Sequence, residues 1–194
     1  MQSRIDMLFF QLSAITLILS AYGTMGLITT TFDESSVIFD FWHIDRYKYF
    51  SIGLYNIILV DWSVEAGEIG ILGYVATYQK TAQLGNLVRK LLSHLKSRGG
   101  DYAAIHCIGH SLGAHVCNAA ARSIAPDQLG RVTNLDPAAV LEFSMQFIRG
   151  QAKFSDIIHT SHFFGEIKPL ADADFYPNGG LNQNCNQKQE GSFI

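Results

Sequence analysis

Apolar positions along this chain switch between two rhythms. Residues 54–60 form a β-branched, apolar run closed by Asp61-Trp62, which predicts a strand. Tyr74, Tyr78, Ala82, Leu84, Val88, Leu91, Leu92 and Leu95 then recur at three- and four-residue spacing, the pattern of a long helix with one buried stripe. Arg89, Lys90, Lys96 and Arg98 load its C-terminal end, where cations suit the helix dipole, and Gly99-Gly100 stops it. Residues 103–108 read as a second, short buried strand. Residues 112–123 read as a helix whose Ala119, Ala120 and Ala121 permit close packing on a sheet. Residues 131–135, ending at Asp136-Pro137, and residues 154–159 give two further strands. Strands alternating with helices in this order predict a parallel α/β sheet. An active site then belongs at the C-terminal ends of the strands, where Asp61, Ser111 and Asp136 all fall.

The first twenty-odd residues follow a different pattern. Arg4 precedes a mostly apolar stretch, residues 8–19, interrupted by Gln11, Ser13 and Thr16, and Ala21-Tyr22-Gly23 supplies small residues at the positions a signal peptidase reads. This predicts a secretory leader over residues 1–23, leaving one domain over residues 24–194. A membrane anchor is the competing reading, but the apolar stretch is short of the roughly 20 residues a bilayer needs. Hydrophobic residues at 48% and charged residues at 16% suit a compact globular domain rather than a disordered chain, and a net charge of −3 gives no sign of a nucleic-acid partner. Secretion admits disulfides. Cys107 and Cys117 nevertheless read as core residues of a strand and a helix, while Cys185 lies in an Asn-rich loop without an evident partner.

The chemistry concentrates at Gly109-His110-Ser111-Leu112-Gly113-Ala114-His115. A Gly-x-Ser-x-Gly between a strand and a helix is the context of a nucleophile elbow, in which the serine sits on a strained turn with its hydroxyl raised from the sheet. Glycine is expected at 109 and 113 because side chains there would strike neighbouring backbone. Leu112, the next residue, offers a backbone N–H to a developing oxyanion. An ordinary tight turn is the bland alternative.

Five ordered blocks carry a wider resemblance. They are Tyr55-Asn56-Ile57-Ile58-Leu59-Val60-Asp61-Trp62, Ile108 through His115, Thr133-Asn134-Leu135-Asp136-Pro137-Ala138, Phe154-Ser155-Asp156-Ile157-Ile158-His159-Thr160, and Asp174-Phe175-Tyr176-Pro177-Asn178-Gly179-Gly180. In order and spacing they resemble the pancreatic-type lipase family, which includes insect phospholipase A1 and lipase-like proteins. The resemblance implies an α/β-hydrolase fold, secretion and hydrolysis of lipid esters at a lipid–water interface, with no cofactor. It makes Ser111 the nucleophile, Asp136 the triad acid and Leu112 one donor of the oxyanion hole. Asp136 before Pro137 could also be a plain turn former.

The chain also departs from that family. The family's histidine base follows a loop that begins near the Asn-Gly-Gly block, just after a cysteine paired with an earlier one. Cys185 resembles the earlier cysteine, and neither a second cysteine nor a histidine follows it before Ile194, so the chain is expected to be truncated before the base. Among the seven histidines, His94 and His106 belong to a helix and a strand, His110 and His115 to the elbow block, and His159 to a strand end; His43 lies upstream, and His162 is the least constrained by motif. A strand ending in His-Gly, which supplies the family's second oxyanion donor, has only residues 36–43 as its nearest counterpart, without the glycine. Losing one such donor costs about 10²–10³ in rate. Ala171-Asp172 stands where the family tends to have Gly-His. Residues 141–151 hold only Glu142 as a carboxylate, which argues against a calcium site. The expected function is therefore a secreted lipid ester hydrolase, triacylglycerol lipase or phospholipase A1. The alternatives are an inactive lipase-like lipid carrier, or a fragment whose sheet is left uncovered.

Overall fold

The structure, a computed structural model, describes residues 14–20, 38–42, 55–62, 71–139, 149–181 and 183. Seven strands form one sheet: β1 (Ala14–Ser20), β2 (Ile38–Trp42), β3 (Tyr55–Asp61), β4 (Ile105–His110), β5 (Arg131–Leu135), β6 (Ser155–Ile158) and β7 (Ala173–Phe175), in the spatial order β2-β3-β1-β4-β5-β6-β7. Among the described residues two long helices accompany them, α1 (Ile71–Ser97) and α2 (Leu112–Ser123). Strands β4 to β7 run parallel, while β1 is antiparallel to both β3 and β4. The predicted alternation of strand and helix is thus an α/β sheet from β4 onward.

The predicted helix and strands recur with small shifts of boundary. On α1, Tyr78, Leu84, Val88, Leu91, Leu92 and Leu95 are buried as the periodicity requires. Ala82, assigned to the same stripe, is exposed; Thr77 and Thr81 are buried instead, and the Thr81 hydroxyl donates back to the Tyr78 carbonyl at 2.7 Å. The buried positions repeat every seven residues, at 77, 78 and 81, then 84, 85 and 88, then 91, 92 and 95, and position 82 falls outside that repeat. Tyr74 lies outside the residues with described side chains. Gly85 marks the crossing of α1 over α2, since a Cβ there would sit 2.4 Å from the Ala119 Cβ. The small residues of α2 serve that approach.

Cys107 and Cys117 are buried, as predicted, but they are not free core thiols. They form a disulfide with Cα atoms 5.9 Å apart that ties β4 to α2. The elements flank the elbow on either side, and folding it brings their inward faces together. Asn118 on α2 donates to the Asn134 side chain on β5 at 2.6 Å, so α2 covers the same face of both strands. The opposite face carries a polar network. Arg131 binds Asp156 through Nε and Nη2 at 3.0 and 2.7 Å, and the Thr133 hydroxyl donates to Asp156 at 2.7 Å. With Thr133 donating there, His106 Nε2 donates to the Thr133 oxygen at 2.7 Å. Burial and the nearby Arg131 lower the His106 pKa to about 4.

Strand β1 lies inside residues 1–23, for which the sequence predicts a removable leader. In the structure it pairs along its length with β3, and over Ile15 to Leu19 with β4. A cleaved leader and a strand between β3 and β4 are two fates for the same residues. N-terminal sequencing of the isolated protein separates them.

Candidate active site

Ser111 occupies the turn between β4 and α2 at φ 53° and ψ −119°. This lies outside the conformations ordinary residues adopt, as expected for a strained elbow. A Cβ on Gly109 would meet the Gly113 carbonyl oxygen at 2.3 Å and the Ala114 nitrogen at 2.6 Å, so the predicted need for glycine at 109 has a direct cause in this backbone. Leu112 opens α2, where the first N–H groups have no partner within the helix.

The end of β5 is bonded into the elbow from two sides. The Ser111 N–H donates to the Leu135 carbonyl at 2.9 Å, and the Ala138 N–H donates to the Ser111 carbonyl at 3.3 Å. Asp136 lies between those contacts, at φ 43°. Its N–H donates to the Ile158 carbonyl at 2.8 Å. Its carboxylate Oδ1 accepts from the backbone N–H of Thr160 at 2.9 Å and of Ser161 at 3.0 Å. The fold therefore brings Ser111, Leu112 and Asp136 to one end of β4 and β5, and it reveals an acid-holding loop that the sequence did not single out.

His115 reinforces this junction. Fully buried on α2, it donates through Nε2 to the Ala138 carbonyl at 2.8 Å and meets the Tyr78 ring edge-on at 5.0 Å. Burial, opposed by that carbonyl, lowers its pKa to about 4, so the ring is neutral at physiological pH. His159 is also fully buried; its ring meets the Glu166 carbonyl at 2.5 Å and the Asp174 carboxylate at 2.8 Å, and it stacks on Tyr176. His162 is exposed, with its Nδ1 3.4 Å from the Leu181 carbonyl oxygen. Among the described residues no histidine ring is hydrogen-bonded to Ser111 or Asp136. His43 and Cys185 lie outside the described residues.

Of the upstream segment, residues 38–42 are described: they form β2, which sits at the sheet edge with β3 and β1 between it and the elbow strand. Asp172, whose position departs from the resemblance, plays a structural part, since its carboxylate accepts from the Ser155 N–H and hydroxyl, both at 2.8 Å. On the loop bonded to the Asp136 turn, Phe163 and Phe164 are 79% and 74% exposed, and Ile167, Phe175, Tyr176 and Leu181 are exposed as well.

A serine on a strand–turn–helix elbow, next to a carboxylate ending the adjacent parallel strand, is the arrangement of the α/β-hydrolase fold. The sequence matches the family described as Lipase over residues 27–194. It is 33% identical over 143 residues to Lipase member H-B of Xenopus laevis, covering 70% of this chain and 30% of that protein. Phospholipase A1 VesT1.02 of Vespa tropica is 33% identical over 144 residues, covering 68% of this chain and 48% of the wasp protein. Lipase member H of Oryctolagus cuniculus is 33% identical over 133 residues, covering 66% of this chain and 28% of its own length. The chain belongs to the lipase family, and it spans under half the length of each of these relatives.

Proposed function

We propose that this protein is a secreted hydrolase of lipid esters, with Ser111 as nucleophile, Asp136 as triad acid and the Leu112 N–H as an oxyanion donor. The observation that carries the reading is the bonding of Ser111 to both sides of Asp136 at the head of β4 and β5. In the mechanism a base takes the Ser111 proton as its oxygen attacks the ester carbon, and the tetrahedral oxyanion turns toward the Leu112 N–H. The Asp136 carboxylate orients the base and stabilises its charged form. Membership of the lipase family and the activities for which the Xenopus and Vespa relatives are named support lipid esters as the substrate class. The exposed apolar rim around Phe163 and Phe164 suits a lipid–water interface. The Cys107–Cys117 disulfide supports an oxidising, extracellular setting.

The test is turnover of a short-chain ester, a phosphatidylcholine and a triacylglycerol by the wild type and Ser111→Ala. Turnover lost in the variant by about 10⁴-fold or more supports the assignment, and the preferred substrate separates phospholipase A1 from triacylglycerol lipase. Equal rates in the two proteins refute it. A second reading, an inactive lipid carrier, is favoured by two observations: among the described residues no histidine ring is hydrogen-bonded to Ser111 or Asp136, and β2 lies at the sheet edge. Saturable binding of a fluorescent lipid without turnover would establish it.

A further inference from the structure

Asp136 is held from across the chain by a loop of which only Thr160 belongs to the motif blocks. Residues 160–166 connect the end of β6 to the segment leading into β7, and they fold back over the Asp136-Pro137-Ala138 turn. Two amides of the loop, Thr160 and Ser161, donate to Oδ1 of the carboxylate. Oδ2 accepts no hydrogen bond from the described residues, which leaves one oxygen fixed and the other to meet a base. Two backbone hydrogen bonds hold the far side of the loop to the same turn: Ala139 N–H donates to the Phe164 carbonyl at 2.7 Å and Glu166 N–H donates to the Pro137 carbonyl at 2.8 Å, and together they make an antiparallel bridge of Ala138 with Gly165.

Gly165 is the tight point. A Cβ there would lie 2.5 Å from Asp136 Oδ1 and 2.5 Å from the Ser161 carbonyl oxygen. Its requirement for glycine comes from the room that the carboxylate and the Ser161 carbonyl take rather than from backbone conformation. The loop is closed at its base by His159, whose ring bridges the Glu166 carbonyl and the Asp174 carboxylate of β7. The Glu166 carboxylate accepts from the N–H groups of Ile167 and Lys168, both at 2.9 Å, which fixes the chain leaving the loop.

We propose that Gly165 and His159 are positioning residues for the triad acid: Gly165 sets where the Asp136 carboxylate sits, and His159 holds closed the loop that binds it. This rests on the ester-hydrolase reading for its catalytic consequence, and on the hydrogen bonds alone for the seat itself. A carboxylate displaced by about 1 Å misaligns the base it must orient, and misplacements of that size cost on the order of 10²-fold in rate.

The experiment compares wild type, Gly165→Ala, His159→Phe, Asp136→Asn and the Gly165→Ala/Asp136→Asn pair, with Ser111→Ala as the blank. It reads kcat and KM on a p-nitrophenyl ester, thermal melting, and amide hydrogen exchange at Thr160 and Ser161. Gly165→Ala and His159→Phe are expected to lower kcat about 10- to 100-fold with KM within about twofold. On the Asp136→Asn background Gly165→Ala should cost nothing further, because both act through one group. Exchange at Thr160 and Ser161 should quicken about tenfold in both loop variants while β4 and α2 amides keep their wild-type rates. Unchanged kcat in Gly165→Ala, or a loss that multiplies with that of Asp136→Asn, overturns the proposal. If wild type does no better than Ser111→Ala, the hydrolase reading fails by itself, and the exchange data alone decide the seat: unaltered Thr160 and Ser161 amides overturn it, quickened ones uphold it. If Gly165→Ala melts early through β4 and α2, His159→Phe, which keeps an aromatic ring against Tyr176, carries the same comparisons.

Discussion

The two halves of the candidate site are built by opposite means. The serine side is contiguous: β4, the Ser111 turn and α2 run from Ile105 to Ser123, and the Cys107–Cys117 disulfide closes that stretch on itself. The acid side is assembled from afar: the two amides that hold Asp136 come from residues 24 and 25 positions later, and the loop that carries them is braced by Glu166 and Asp174. Contacts close in sequence cost little loop-closure entropy, whereas distant ones form only when the sheet is already in place. Damage to the elbow should therefore reach the fold, while damage to the acid seat should reach alignment first.

The sharpest break of that comparison is Asp136→Asn. The amide oxygen can still accept from Thr160 and Ser161, so melting should hardly move, while ester hydrolysis falls by about 10⁴-fold in steady-state assays. Gly109→Val should do the reverse. Its Cβ would collide with the Gly113 carbonyl oxygen, and denaturant titration should show a loss of at least about 3 kcal/mol, with activity falling because the elbow fails. Replacing both Cys107 and Cys117 with alanine should lower stability by about 3 kcal/mol, the value expected for freeing a loop of this size, and near-equal stability with and without the bond would show that the elbow holds itself.

His115 joins the two halves, and its effect is one of pH. Its folded pKa of about 4 lies below the ordinary 6.5, so between those values the unfolded chain binds more protons than the folded one. The contribution is complete above about pH 6.5 and is lost as pH falls toward 4, amounting to about 3 kcal/mol. Denaturation midpoints measured across that range should flatten in His115→Phe. The smallest effect belongs to the opposite sheet face. Thr133→Val breaks the relay between His106 and Asp156 and should cost about 1–2 kcal/mol with no change in kcat.

The elements that were legible in the sequence share a property. Residues 105–123 and 131–135 carry their own signals: apolar runs, small helical residues and a glycine with a steric reason at 109. β7 escaped notice because Ala173-Asp174-Phe175 is too short to show a period and becomes a strand only by lying parallel to β6. The disulfide escaped because cysteine in an apolar strand or helix looks the same whether it packs or pairs. An apolar run such as residues 14–20 fits both a leader and a buried strand, since each takes a mostly apolar stretch and neither leaves a periodic mark. Ala82 went astray because the buried repeat of α1 takes Thr77 and Thr81, whose polar side chains hide the stripe, and passes over position 82.

By itself the sequence determined the elbow, the family and the identity of Ser111, Leu112 and Asp136 as candidates, because each depends on residue types at fixed local spacing. The tertiary structure decided what holds them. It paired Cys107 with Cys117, carried β2 to the sheet edge and laid the loop after His159 over Asp136. Those outcomes depend on which distant backbone groups a folded sheet brings within hydrogen-bond reach, and local spacing carries no record of that.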